Sequence, residues 1–488
     1  MPFPKHFLWG IAGSAGQLEG AAFEDGRTAS IWDTFASKPG KIYGGHTPTV
    51  ACDSYHQFDR DLENLIALGV NSYRMSISWS RVLPDGTGRL NDRGMDYYKR
   101  VFEALHAHGI IPNVTLYHWD LPQVLEDRGG WVNRDSIEWF GEYADKMFRA
   151  FSDVVPMWTT LNEPIATYVG YALGAFAPGH TNEVWGNQAR HNLLVAHGQA
   201  VSAFRALNPV NSQIGVVIDI WKRHALTDSP ADHAMVKDQD ERNWKFYCDP
   251  ILAGRYSDYI LEHLAAEGTL MHIGDNDLKL TAQPLDFFGL NVYNRVVVSA
   301  DEGALMDFSQ GGNFLNNAAE YYPRAVYDAV HLLRDLYGFK APIYITENGT
   351  FAVGEEPIAE SGMVEDTDRI RFIKGFLEWT EKAIDEGFDI RGYYLWSLMD
   401  NFEWSAAYNF KFGIAHTDFE TGETTWKKSA YFYRDFIRKA RESGMLDELL
   451  NKWLSSTEPG EVFNNSDLTG ENGTLKVAIA PDLKPLGY

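Results

Sequence analysis

Two glutamates, each closing a run of strand-forming residues, are the positions in this sequence best placed to do chemistry. One stretch reads Met157-Trp158-Thr159-Thr160-Leu161-Asn162-Glu163-Pro164; the other reads Ile343-Tyr344-Ile345-Thr346-Glu347-Asn348-Gly349. Bulky and β-branched residues favour a buried strand, and Pro164 and Gly349 stop it. Each glutamate is therefore expected at the carboxyl end of a strand, where barrels and open α/β sheets place their reactive groups. Two carboxylates facing one another are the minimum equipment for cleaving a glycosidic bond. Taken singly, either glutamate reads equally well as a solvated charge opening a loop, so the rest of the chain decides.

Other polar residues recur at comparable places. Eight strand-like runs lie near residues 7–12, 70–77, 110–116, 156–161, 213–220, 286–292, 342–346 and 391–397. Gln17 follows the first, Arg74 lies in the second, and His118, Trp119 and Asp120 follow the third. Asn162 and Glu163 end the fourth, Asn291 and Tyr293 the sixth, and Glu347 the seventh; Trp396, Glu403 and Trp404 follow from the eighth. Amides, carboxylates, His and Trp at seven of eight strand ends form a pattern that one polar residue does not.

Helix-like stretches separate the strands. Residues 55–68 carry a capping Asp53 or Ser54, an apolar stripe of Leu62, Leu65 and Ile66, and a terminating Gly69. Similar stretches cover 92–108, 136–151, 189–207, 323–337, 367–386 and 427–443. Strand and helix alternating eight times imply parallel strands with right-handed crossovers. The expected fold is α/β, a single (β/α)8 TIM barrel over residues 1–444 with a C-terminal extension, 445–488. A doubly wound open sheet is the alternative, but no phosphate-binding Gly-x-Gly-x-x-Gly follows the first strand. The long polar or Gly-rich stretches 36–50, 222–248, 299–322 and 350–366 are expected as loops walling the site. In the extension, Leu446, Leu449, Leu450, Trp453 and Leu454 form an amphipathic stripe, expected to pack on the barrel or on another copy of the chain.

Bulk properties exclude several classes. The 488 residues are 45% hydrophobic and 23% charged, with a formal net charge of −24. That charge argues against nucleic acid or an anionic membrane as a partner. Fifteen Trp, 24 Tyr and 28 Phe are mostly core filler, but aromatic rings also suit the C–H faces of sugars. Cys52 and Cys248 are the only cysteines, so neither a disulfide framework nor a cysteine metal site is expected. His118 lacks a second ligand at zinc spacing, and no Gly-x-Ser-x-Gly elbow occurs. Asp59, Asp61 and Glu63 read as a solvated helix face, and three Asn-x-Ser/Thr sequons carry little meaning without a leader. The start at Met1 has no leader pattern, and no apolar run reaches about 20 residues. A cytoplasmic setting is the expectation.

At this point a resemblance emerges. Phe7-Leu8-Trp9-Gly10, Gln17-Leu18-Glu19-Gly20, Tyr73 to Arg81, Leu116 to Pro122, Thr160 to Pro164, Ile345 to Gly349 and Asn401 to Trp404 resemble glycoside hydrolase family 1, the β-glucosidase family, over roughly residues 3–440. The resemblance implies a retaining β-glycosidase that needs no metal or cofactor and acts on a small β-glycoside or oligosaccharide. It implies Glu163 as general acid/base and Glu347 as nucleophile, with carboxyls about 5 Å apart. Arg74 and Tyr293, with Asn291 nearby, would support the nucleophile. Gln17, His118, Asn162, Tyr293, Trp396, Glu403 and Trp404 would line the sugar site. Glu403 stands where phospho-glycosidases of the family carry a small residue and a downstream Lys, so unphosphorylated sugars are implied. Gly16, Val292 and Ser405-Ala406-Ala407 depart from the usual pattern and alter the walls, not the catalytic motifs. The rivals are a transglycosidase of the same family and a non-catalytic sugar-binding barrel, which usually lacks one of the two carboxylates.

Overall fold

The computed structural model describes residues 3–301, 303–304 and 321–442. Its centre is a closed barrel of eight parallel strands. They are β1 (Leu8–Ala12), β2 (Ser72–Ser76), β3 (Ile111–Tyr117), β4 (Met157–Asn162), β5 (Gln213–Asp219), β6 (Phe287–Asn291), β7 (Ile343–Asn348) and β8 (Ile390–Trp396). Each strand pairs with its sequence neighbours, and β1 closes the ring on β8 with Leu8 opposite Gly392 and Ala12 opposite Trp396. Every strand lies within two residues of the run read from the sequence.

The crossovers carry the outer helices: α1 (Phe58–Leu68), α2 (Asp92–Ala107), α3 (Ser136–Phe151), α4 (Glu183–Leu207), α5 (Pro230–Arg242), α6 (Asp258–Ala266), α7 (Ala325–Tyr337), α8 (Thr367–Asp385) and α9 (Lys428–Glu442). Their apolar faces meet the outward side chains of the strands in one large core. The alternation of a strand explains the division. Tyr73 and Met75 of β2 join that outer core, while Arg74 between them is fully buried inside the ring. The lower barrel is filled by a second cluster that includes Met157, Phe287, Tyr344 and Tyr394, so it is a packed core and not a pore.

Four local expectations need correction. Residues 222–248 are not a loop: they form the strand Arg223–Ala225, α5 and the helix Trp244–Cys248, because Ser229 accepts the N–H of Asp232 as an N-cap and Pro230 opens the first turn. Helix α4 starts at Glu183, well before residue 189, capped by Asn182. Helix α1 starts at Phe58 behind Gln57, so neither Asp53 nor Ser54 caps it; Gly69, in the left-handed conformation, ends it as expected. On α1 Asp59 and Glu63 are exposed, but Asp61 is buried and accepts two hydrogen bonds from Arg60, while Ile66 faces out. The extension and its stripe lie outside the described residues, as does most of 299–322. Among the described residues no helix is long and apolar enough to cross a membrane.

Candidate active site

A cavity of about 480 Å³ opens at the carboxyl ends of the strands. His118, Glu163, Tyr293, Glu347, Trp396, Glu403 and Trp404 all line it. Gln17, Arg74, Asn162 and Asn291 form the layer beneath, each hydrogen-bonded to a lining residue. The structure therefore gathers every site residue read from the sequence around one space, though they come from seven different strands or the loops after them.

Backbone irregularity aims the two glutamates. Strand β4 slips its register against β5 between Thr159 and Asn162, and β7 slips against β6 between Ile345 and Glu347. Such irregularities at a barrel rim re-aim side chains. Glu163 itself has φ of 41°, Trp119 76° and Trp404 48°, all left-handed values that a bulky residue adopts only when its surroundings enforce them. Gly349 is required for a different reason: a Cβ there would lie 2.1 Å from the carbonyl oxygen of Trp396. Gly16, the departure from the family pattern, lies beneath the indole of Trp404, whose Cη2 would be 3.4 Å from an added Cβ.

The two carboxylates sit in opposite environments. Glu347 is buried, ion-paired through Oε1 to Arg74, and accepts the Tyr293 hydroxyl at Oε2 over 2.7 Å. Arg74 Nη2 also donates to Asn162 Oδ1 at 2.6 Å. Glu163 has no such cation in contact; Asn291 Nδ2 donates to its Oε1 at 2.6 Å. Burial first, then the charges of Asp219 and Glu347, push the Glu163 carboxyl well above the usual range, and this outweighs the Asn291 bond and the field of Arg74. Arg74, Asn162 and Asn291 thus form a continuous bridge between the two glutamates, since Asn291 Nδ2 is also 3.1 Å from Asn162 Oδ1. Thr346 fixes Asn291 in turn by donating to its Oδ1 at 2.8 Å.

The opposite wall is aromatic and amide-rich. His118 is buried, its imidazole held neutral by burial and by the nearby Arg74 charge. Its Nε2 is 3.2 Å from Asn162 Nδ2, and its ring stacks between Trp396 and Trp404. Gln17 accepts the Ser14 hydroxyl and donates its amide to Asn401 and, at 3.0 Å, to Glu403. Burial, and then the Glu347 charge, push Glu403 up to about 8, against the bonds from Gln17 and Trp396. Behind this loop a buried charge network holds it in place. Lys427 Nζ donates to Asp400 Oδ1 at 2.8 Å and pairs with Glu356, which also meets Arg369.

The sequence reading passed over part of the lining. Ile165, Val169, Leu173 and Phe176 add an apolar stretch to the lining just after Glu163, and Asp219, Trp221 and Arg223 line the same cavity. Asp219 had a signal, since it is the carboxylate that ends β5. No metal-binding group of three or more His, Cys, Asp or Glu occurs among the described residues.

An eight-stranded barrel with an arginine-paired and a proton-holding carboxyl group in one aromatic cavity defines a glycosidase architecture. Comparison with known proteins agrees. The model of glycosyl hydrolase family 1 matches residues 1–442, and the chain belongs to that family. Beta-glucosidase A of Acetivibrio thermocellus is 41% identical over 443 residues, covering 89% of this chain and 98% of that protein. Beta-glucosidase A of Thermotoga maritima is 38% identical over 441 residues, with the same coverage of 89% and 98%. Among solved structures, the Thermotoga maritima β-glucosidase in complex with glucoimidazole superposes with a TM-score of 0.84 at 37% identity, covering 90% of this chain and 99% of that one. The family 1 β-glucosidase of Exiguobacterium antarcticum gives 0.85 at 38% identity, covering 91% and 100%.

Proposed function

We propose that the protein hydrolyses terminal β-D-glucosyl residues with retention of configuration, Glu347 acting as nucleophile and Glu163 as acid and then base. One observation carries the reading: two carboxylates share a cavity, one clamped by Arg74 and Tyr293, the other kept protonated by burial and like charge. In the first step a Glu347 oxygen attacks the anomeric carbon as the glycosidic C–O bond breaks, and the Glu163 proton goes to the departing oxygen. In the second, Glu163 takes a proton from water, whose oxygen attacks the same carbon and releases Glu347.

Gln17, His118, Asn162, Trp396, Glu403 and Trp404 take the hydroxyls and ring face of the glycone. Glucosides are the primary substrates, with galactosides and fucosides admitted to a lesser degree. Because Glu403 holds its proton up to about pH 8, repulsion of a sugar phosphate is weaker than its residue type suggests. Neither group that bonds its carboxylate, Gln17 or Trp396, is charged, so a phosphate would still gain no positive partner there. The apolar stretch of Ile165, Val169, Leu173 and Phe176 suits an aryl or alkyl aglycone.

Glu347→Ala is expected to abolish turnover of every substrate. Glu163→Ala is expected to abolish cleavage of alkyl glucosides while dinitrophenyl glucoside still forms the glycosyl-enzyme, because dinitrophenolate leaves without a proton. Azide should then give the β-glycosyl azide with Glu163→Ala and the α-anomer with Glu347→Ala, read by NMR. The same anomer from both variants, or an equal loss on all leaving groups in Glu163→Ala, would overturn the assignment.

A further inference from the structure

The fifth strand brings a fourth carboxyl group into the cavity, beside Glu163, Glu347 and Glu403, and the two-step mechanism above does not use it. Asp219, the last residue of β5, pairs with Asn291 of β6, the residue whose amide donates to Glu163 at 2.6 Å. Two residues earlier on the same face of β5, the carbonyl of Val217 accepts the backbone N–H of Glu163 at 3.0 Å. Strand β5 thus lies between β4, which leads into Glu163, and β6, whose Asn291 bonds Glu163, and Asp219 and Glu163 both line the cavity. Oδ1 of Asp219 is buried without a hydrogen-bond partner. The cation on this side, Arg223, turns Nη1 to the carbonyl of Trp221 at 2.7 Å.

From this placement we propose that Asp219 is a positioning residue for proton transfer: its negative charge keeps the proton on Glu163 and so carries the cleavage of poor leaving groups into the alkaline range. A second carboxylate beside Glu163 makes ionisation of Glu163 costlier, as like charges do in a cavity shielded from water. The inference rests on the reading of Glu163 as the proton donor.

Glu347 of β7 adds to the effect, whereas Arg74 of β2 opposes it. Tyr293 after β6 is bonded to Glu347, His118 after β3 is neutral, and Glu403 after β8 is held protonated by burial. Arg223 lowers Asp219, and Asp240 of α5 acts on Arg223 from behind. Tyr247 and Cys248, on the helix Trp244–Cys248, also feel the Asp219 charge, but burial pushes both groups up and keeps them neutral. Burial, more than any neighbour, pushes Asp219 itself up to about 7. Its charge is therefore absent in acid and present above neutrality, where Glu163 would otherwise lose its proton.

The test is Asp219→Asn, which keeps the shape and removes the charge, with Asp219→Glu as the charge-keeping partner. The ratio kcat/KM is followed against pH on an alkyl β-glucoside and on dinitrophenyl β-glucoside. For Asp219→Asn the alkaline limb on the alkyl substrate is expected to fall by about one pH unit, with rates within about twofold of the parent at about pH 5. Dinitrophenyl glucoside, whose first step needs no proton, should show no such displacement, and Asp219→Glu should restore the limb. An unmoved limb, or an equal loss on both substrates at every pH, overturns the proposal. If Glu163→Ala keeps its leaving-group selectivity in that case, only the role of Asp219 falls. If that selectivity is absent, the reading of Glu163 falls and this inference with it.

Discussion

Replacing Glu403 by Gln is expected to stabilise the protein while damaging its activity, and the pH dependence of the gain is the diagnostic. In the unfolded chain this carboxyl has the ordinary value of 4.5, and in the folded protein burial and then the Glu347 charge raise it to about 8. Between those values the folded state binds more protons than the unfolded state, so stability falls as pH rises through the window. The penalty is absent below the unfolded value and complete above the folded one. At full strength the difference corresponds to about 5 kcal/mol. Glu403 is only half-buried and faces the open cavity, so water screens part of this. About 2 kcal/mol is the expected gain for Glu403→Gln at about pH 8, and almost none at about pH 4.5. In a chain of 488 residues, about 2 kcal/mol raises Tm by roughly 2 °C. Calorimetry of both proteins across this pH range provides the measurement. At the same time kcat/KM on aryl glucosides should fall about 10- to 100-fold, because one carboxyl oxygen becomes an NH2 that cannot accept, which leaves either the Gln17 amide or a sugar hydroxyl without its acceptor. A gain in Tm that is independent of pH, or a loss at every pH, would refute the account of how burial strains this residue.

Two further outcomes follow from named contacts. Tyr293→Phe removes the 2.7 Å hydrogen bond to Glu347 and should lower kcat/KM about 10- to 100-fold on good and poor leaving groups alike, checked by steady-state assays on both. Lys427→Met removes the cation bonded to buried Asp400 and leaves Glu356 with Arg369 alone; a loss of about 3–5 kcal/mol is expected, seen as a fall in Tm and an earlier denaturant midpoint. Asp400 makes this sharp, since burial pushes its carboxyl up and Lys427, together with His416 and Lys411, more than reverses that.

What the sequence by itself determined is whatever depends on neighbours close along the chain. Runs of bulky and β-branched residues ending in Pro164 or Gly349 locate β4 and β7, and helical stripes such as the one closed by Gly69 locate the layers around them. Their alternation is enough to specify the barrel, and a barrel puts Glu163 and Glu347 at one rim. Helix α5 in 222–248 escaped notice because its polar composition lacks an apolar stripe, and only the Ser229-Pro230 start marked it. Asp61 looked solvated because its burial depends on Arg60 folding over it and on residues far along the chain: Arg60 also reaches Gly422, across 362 positions.

The tertiary structure alone decided how the two glutamates differ. Both are Glu after a threonine or an asparagine, and nothing local separates them. The separation comes from Arg74, 273 positions from Glu347, from register slips that turn each carboxylate inward, and from the charge of Asp219, which acts on Glu163 only because β4 and β5 are adjacent in the ring. Likewise Glu403 becomes a proton-holding residue through closure of the cavity around it and through the Glu347 charge, against the hydrogen bond from Gln17, 386 positions away. Protonation depends on distance and desolvation, and those are properties of the assembled barrel; strand and helix depend on side-chain periodicity, which is already present in the unfolded chain.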